Sequence, residues 1–384
     1  RRFEAGRPLQ SAEGCGTPAS LSLSGVTELR SLGPFRHPLI VRPDVTKMPS
    51  MRTGGIVRYG GLPGDRQLLF VRQSESRRCV LAVVAVLAVA LLCVQPRNAG
   101  AAPYPLQLSH GAVHADLTLS SSCLSPPCPL VVLVPGFAVP MVVWDNNVPA
   151  LLGAGFSVLR FDLYGRGRSA RPRVDYRPDL FAEQVWELVT APKLGLPPEI
   201  RLPNRFHMVA SSMGGAIAAA FAARHPDTLD RLVLVGPVGL AHDFGPQVTF
   251  FRAPGIGQWY FRSRFESVML GHLQDNINTD VCAYPTVLAE FRRQLRIPGT
   301  ADAMFSTFRN TLLADVADDY RQLGRRHLRT LAIWGTEDRL VPAASAVEQL
   351  RRMIPHVEAR MIRGAGHLPQ LERPGAFNEL GTKF

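Results

Sequence analysis

From about residue 103 the chain alternates short apolar runs with amphipathic stretches. Runs at 112–119, 129–134, 157–161, 205–210, 231–236, 330–334 and 357–362 are predicted strands, and 143–153, 178–190, 213–224 and 343–353 are predicted helices. Runs such as LVVLV and RLVLV do not alternate apolar with polar positions, as expected of strands covered by helices on both faces. The order of elements predicts an α/β fold with a mainly parallel sheet. More than ninety residues separate the runs at 231–236 and 330–334, far beyond an ordinary connection of about 2–6 residues. Residues 241–325 are therefore assigned to an inserted, mostly helical lid, and 103–240 with 326–384 to the core. The lid is rich in apolar and aromatic groups, among them Phe250, Phe251, Trp259, Tyr260, Phe261, Met269, Met304, Phe305 and Phe308. Most are expected to form the lid's own small core and some to face a site beneath it.

Residues 1–102 are set apart as a leader. Its main feature is CVLAVVAVLAVALLCV, 16 apolar residues at 79–94 that follow Arg77 and Arg78. A membrane span needs about 20 residues, whereas a basic flank, a short apolar run and the small residues Ala99, Gly100 and Ala101 suit a secretory signal peptide. Three readings stay open: export, a retained membrane anchor through 79–94, or a misassigned leader that leaves the protein inside the cell. Ser76-Arg77-Arg78 is weakly similar to a twin-arginine export signal, which applies only to a bacterial source. Met48 and Met51 are candidate true starts, which would make residues 1 to about 50 a fragment or a wrongly translated leader.

Composition, 46% hydrophobic and 19% charged, fits a globular enzyme and excludes a largely disordered chain. The net charge of +12 is concentrated in the leader: residues 1–100 hold 14 Lys and Arg against 6 Asp and Glu, leaving 29 against 25 in the rest. No recognised nucleic-acid motif accompanies it, so no nucleic-acid partner is expected. Cys123 and Cys128 flank a Pro-rich turn, where a cross-turn disulfide and two free thiols are equally compatible with the spacing. Cys282 has no evident partner, and no histidine cluster joins these cysteines in a metal site.

The strongest local signal is FHMVASSMGGAIAAAFAARHP, an apolar strand running through a small-residue turn into an Ala-rich helix. A serine hydroxyl becomes a useful nucleophile when a sharp turn holds it beside a base and above a helix N-terminus. Close packing then demands small residues two before and two after it. Ser212 has Ala210 and Gly214 there, whereas Ser211 has Val209 and Met213, so Ser212 is the candidate nucleophile.

This turn resembles the GxSxG nucleophile elbow of the α/β-hydrolase family, with Ala210 in place of the first glycine. Four further segments carry the resemblance. VVLVPGFAVPMVVWD is similar to the family's HGF or HGG segment, and the resemblance implies an oxyanion hole made by the backbone N–H groups of Phe137 and Met213, with Gly136 allowing close approach. FDLYGRGRSARP resembles the DxxGxGxS turn, read as a structural brace built on Asp162. LAIWGTEDRLVP places Asp338 at the family's acid position, with Glu337 as a neighbouring alternative, and MIRGAGHLPQLERP resembles GxGHxxxxExP, which makes His367 the candidate base. The order Ser212, Asp338, His367 is that of the fold.

The resemblance spans about residues 110–380 and is to the lid-containing serine esterase and lipase branch, similar to monoacylglycerol lipases. It implies an eight-stranded, mainly parallel sheet with helices on both faces, no cofactor or metal, and cleavage of a small-molecule ester with an apolar acyl group through an acyl-enzyme. Two rivals remain: a carbon–carbon bond hydrolase of the meta-cleavage-product type, which shares the triad, and a non-catalytic binding protein of the same fold.

Overall fold

The computed structural model describes residues 105–121, 129–190, 203–240, 255–312 and 314–384. The apolar leader segment at 79–94, Cys123, Cys128, Phe250 and Phe251 lie outside these residues. Among the described residues no helix is long and apolar enough to cross a membrane.

The predicted strand at 112–119 is two strands. β1 (Leu106–Leu108) and β2 (Gly111–Val113) pair antiparallel as a separate hairpin, and β3 (Ala115–Thr118) joins the main sheet. His114, between them, explains the break. Its N–H donates to Ser169 Oγ at 3.0 Å and not to a neighbouring strand, while its side chain is held by Asp162 Oδ2 at 2.9 Å from Nδ1.

Then follow β4 (Leu130–Val134), α1 (Val148–Gly153), β5 (Ser157–Phe161), α2 (Pro178–Thr190), β6 (Phe206–Ser211), α3 (Met213–Arg224) and β7 (Leu229–Val235). The helix expected from 143 starts at Val148, with Pro149 in its first turn, and Met141–Trp144 is a separate tight turn. All five residues of β4 are buried, so both faces of the sheet are covered. In α3, every residue from Met213 to Ala222 is buried. Its alanines and glycines let it lie close to the strands while α2 packs over it.

The lid supplies α4 (Ile256–Ser263), α5 (Phe265–Asp275), α6 (Pro285–Leu295) and α7 (Thr300–Thr307). Phe261 joins Phe265 and Phe305 in a small aromatic core, with ring centroids 5.5 and 5.4 Å apart. Trp259 and Tyr260, expected inside, are exposed. Cys282 is disulfide-bonded, although its sequence context suggested no partner; the other five cysteines all lie outside the described residues.

Helix α8 (Ala317–Arg325), grouped with the insertion on sequence, packs instead on α3 and on α9 (Ala343–Met353). Tyr320 anchors it, donating its hydroxyl to Val238 O at 2.8 Å. β8 (Arg329–Gly335), α9, β9 (Glu358–Ile362) and the short C-terminal helices α10 (Pro369–Glu372) and α11 (Pro374–Lys383) complete the described chain.

The main sheet has seven strands among the described residues, in the order β3-β5-β4-β6-β7-β8-β9, where the resemblance implied eight. β3 is antiparallel to β5 and all other pairs are parallel. From β4 the chain steps to β5 on one side and then to β6 on the other. The carboxyl ends of β4 and β6 thus open at a switch point, where α/β sheets place their ligands.

Candidate active site

Ser212 occupies that switch point, between the end of β6 and the start of α3. Its backbone has φ 54° and ψ −117°, one of two non-glycine residues with positive φ among those described. Such a conformation costs about 1–3 kcal/mol and persists where surrounding contacts enforce it. Here Ser212 N–H donates to Val235 O at 2.7 Å, and its carbonyl accepts from Gly215 N–H at 2.9 Å and Val238 N–H at 3.2 Å.

The small neighbours that singled out Ser212 are packed as the turn requires. A Cβ on Gly214 would lie 2.8 Å from Val134 O, and one on Gly136 would lie 3.2 Å from Ser212 Cβ. Ala210 is fully buried, paired with Val134 on one side and Leu234 on the other. Ser211 has a different use: its Oγ accepts from Gln370 Nε2 at 3.1 Å.

Asp338 follows β8 and His367 follows β9, so both reach the same edge of the sheet. His367 Nδ1 bonds Asp338 Oδ2 at 2.8 Å, and both side chains are buried. The second carboxylate oxygen is fixed by two backbone donors, Leu340 N–H at 3.0 Å and Val341 N–H at 2.8 Å. Glu337, by contrast, is exposed and its Oε1 accepts from the Thr336 hydroxyl. His367 Nε2 is buried without a hydrogen-bond partner, and its ring lines the same small cavity as Ser212.

Gly236, one residue past β7, makes room for this pair. It has φ 49°, and a Cβ there would lie 3.1 Å from His367 Nδ1 and 3.2 Å from Asp338 Oδ2. Gly236→Ala is expected to displace the imidazole and lower kcat on the order of 10²-fold, as misplacement by about 1 Å does elsewhere. Steady-state kinetics beside an unchanged circular dichroism spectrum checks this. An unaltered kcat would count against the tight fit.

Phe137 lines both cavities with Ser212, and Met213 follows the serine in the chain. Met213 is the first residue of α3, so its N–H has no partner within the helix. The loop carrying Phe137 is pinned by two groups that the sequence did not single out. Arg166 Nε donates to Phe137 O at 2.7 Å, and Gln294 Nε2, from α6 in the lid, donates to Ala138 O at 2.6 Å. Arg166 is fully buried, and among the described residues no carboxylate pairs with it. Its guanidinium lies 5.4 Å from the Phe137 and Phe181 ring centroids, and burial pulls its pKa down to about 9. Ring faces and carbonyls therefore carry the charge. Asp162 is a brace, as expected: it accepts from Met141 N–H at 2.8 Å and from Arg168 N–H at 2.9 Å.

Above the serine lies a cavity of about 180 Å³ between the core and the lid. Phe261, Met269, Phe308 and Leu312 of the lid face Val238, Leu240 and Val341 across it, which makes it strongly apolar. Of the lid residues named on sequence, Phe261, Met269 and Phe308 line this cavity. His272, on α5, was passed over on sequence yet lines this cavity and the smaller one beside His367. Burial lowers its pKa to about 4, with a further contribution from the charge of His367. No cluster among the described residues has the three His, Cys, Asp or Glu side chains a metal would need.

The fold and the elbow define the class, and a family model described as the alpha/beta hydrolase fold matches residues 129–374. The chain belongs to this hydrolase family. Its relatives include a 2-hydroxymuconate semialdehyde hydrolase from Pseudomonas putida, 30% identical over 183 residues that cover 46% of this chain and 61% of that protein. Lipase 3 of Moraxella sp. (strain TA144) is 26% identical over 231 residues, 57% of this chain and 65% of the lipase. Among solved structures, the enol-lactonase from Burkholderia xenovorans LB400 superposes with a TM-score of 0.58 at 22% identity, over 73% of this chain and 98% of that one.

Proposed function

We propose that the protein is a serine hydrolase that cleaves carboxylic esters with an apolar acyl group, using Ser212, His367 and Asp338. The observation that carries this reading is the buried His367–Asp338 pair, whose unpartnered Nε2 shares a cavity with a strained serine.

Ser212 Oγ attacks the ester carbonyl as His367 Nε2 takes its proton, while Asp338 holds the imidazole with its other proton on Nδ1. The oxyanion is stabilised by the N–H groups of Phe137 and Met213, which are fixed before the substrate arrives. Collapse of the tetrahedral intermediate passes the proton from His367 to the departing alcohol. Water then attacks the acyl-enzyme, His367 again taking the proton, and the acid leaves as Ser212 is restored. The apolar cavity above the serine suits the acyl chain.

A fluorophosphonate probe is expected to label the wild-type protein and not Ser212→Ala. Equal labelling of both would sink the assignment.

The second reading, hydrolysis of a carbon–carbon bond in a vinylogous diketone, is favoured by the relative from Pseudomonas putida. That relative's named substrate is a muconate, a carboxylate, whereas no Lys or Arg lines either cavity at the serine among the described residues. The ester reading is preferred on that ground. Turnover of the diketone by a protein that leaves esters intact would reverse the order. A non-catalytic binding role is disfavoured because no member of the triad is missing.

A further inference from the structure

Arg166 is a buried cation that the proposed mechanism does not use. It follows Gly165 in the loop after β5 and is fully buried. Its Nε donates to Phe137 O at 2.7 Å and its Nη1 to Tyr164 O at 3.0 Å, while Nη2 is buried without a partner among the described residues. The guanidinium carbon lies 5.4, 5.9 and 5.4 Å from the ring centroids of Phe137, Tyr176 and Phe181. Tyr176 and Arg171 are the titratable groups whose charges reach it. Neither is an anion at neutral pH, since burial pushes Tyr176 up to about 12 and Arg171 is itself a cation.

A cation kept out of water without a counter-ion is among the most costly groups a core can hold. Ring faces and two carbonyls offset part of that cost. They do not call for a full charge, because a neutral donor would satisfy Phe137 O as well. The charge is therefore unexplained by the local packing, and its position suggests a use. The carbonyl that Arg166 holds belongs to the residue whose N–H is assigned to the oxyanion. The bonds from that nitrogen to that oxygen, with one hydrogen bond added at each end, put Nε within about 10 Å of the oxyanion.

We infer that Arg166 is a positioning residue of the oxyanion hole, and that its positive charge, bound to the Phe137 carbonyl, stabilises the negative charge that develops on the substrate oxygen. The inference rests on the serine-hydrolase reading above and on the oxyanion role of Phe137. The ester carbonyl of the ground state is neutral, so the charge favours the tetrahedral state over it and raises kcat without tightening KM. Arg166 lines neither cavity at the serine, so solvent entering them does not hydrate it. At an effective dielectric of about 20, unit charges about 6–10 Å apart alter a rate by roughly 10- to 100-fold. Burial pulls the pKa of Arg166 down to about 9, which still leaves it charged at neutral pH.

Two substitutions separate the charge from the hydrogen bond. In Arg166→Gln the amide nitrogen is attached to Cδ, as Nε is, so it can still donate to Phe137 O while the charge is gone. In Arg166→Lys the charge stays and Nε is lost. Arg166→Gln is expected to lower kcat for a p-nitrophenyl ester about 10- to 100-fold with KM within about twofold. Its affinity for a trifluoromethyl ketone, which adds to Ser212 and carries the oxyanion, should fall by the same factor. Arg166→Lys should recover most of both losses. Arg166→Met, also neutral, takes the place of Arg166→Gln if that variant does not fold. Full activity in the neutral variant overturns the inference and leaves Arg166 a structural pin. Equal losses in the neutral and Lys variants overturn it too, because shape and not charge is then what the site needs. Either result leaves ester cleavage by Ser212 standing. A wild-type protein that neither turns over the ester nor binds the ketone at Ser212 overturns the serine-hydrolase reading and this inference with it.

Discussion

Ser212→Ala, His367→Ala and the double variant are each expected to lower kcat for a p-nitrophenyl ester by about the same factor, on the order of 10⁶. The losses should not add, because the two side chains perform one act. His367 Nε2 is buried and unpartnered, and its value is in receiving the proton of Ser212 Oγ. Without the serine there is no proton to receive; without the histidine the hydroxyl stays a weak nucleophile. A residual rate above that in water should persist in all three, since the oxyanion donors on Phe137 and Met213 are backbone groups that these substitutions leave in place. Purified variants checked for an unchanged near-ultraviolet circular dichroism spectrum would be compared in single-turnover assays. If the double variant loses the product of the single losses, the two residues act independently and the proposed proton transfer fails.

The strength of the serine assignment reflects how locally the elbow is written. The tight turn, the exclusion of Ser211 and the glycine at 214 all lie within six residues, and the structure shows the strained turn at Ser212 and the close contacts that keep Gly214 small. Strand β5 and helices α2, α3 and α9 fall on the expected boundaries because apolar runs bounded by turns, or a 3.6-residue pattern, carry them without help from distant residues. Asp338 and His367 were legible for a similar reason, each following a strand in a short turn. Asp338 was preferred to Glu337 on its place in the resembled turn; the fold adds that Asp338 is buried against His367 while Glu337 is exposed.

What escaped the sequence is long-range. Gln294 reaches Ala138 across 156 residues, and Gln370 reaches Ser211 across 159. Arg166 looked like one basic residue of a loop, yet it is buried beneath the Phe137 carbonyl. His272 lies on a lid helix whose pattern shows one apolar face but not which cavity that face meets. The break at His114 was missed because a polar residue within an apolar run reads as an ordinary outward position. Its real partners, Asp162 and Ser169, come from the loop after β5. Helix α8 was grouped with the lid because sequence places it there, although Tyr320 ties it to the residue three past β7.

Asp338→Asn is expected to lower kcat about 10⁴-fold, the scale of a histidine held in the wrong tautomer, while Glu337→Gln leaves it within about twofold, as surface changes usually do. The contacts of Asp338 give the reason. One carboxylate oxygen is taken by the N–H groups of Leu340 and Val341, and the other faces His367 Nδ1. An asparagine must turn its carbonyl oxygen to the two backbone donors, because its amide nitrogen has no lone pair to offer them. The NH₂ group then points at His367 Nδ1, which has to become the acceptor. The ring proton moves to Nε2, and the imidazole can no longer take a proton from Ser212. The defect is therefore one of protonation and not of packing: the variant should keep its melting temperature within a few degrees, retain binding of a non-hydrolysable ester analogue, and lose its reaction with fluorophosphonate to nearly the same degree as its ester turnover. Full activity in Asp338→Asn, with a loss in Glu337→Gln, would exchange the two carboxylates and undo the assignment of the acid.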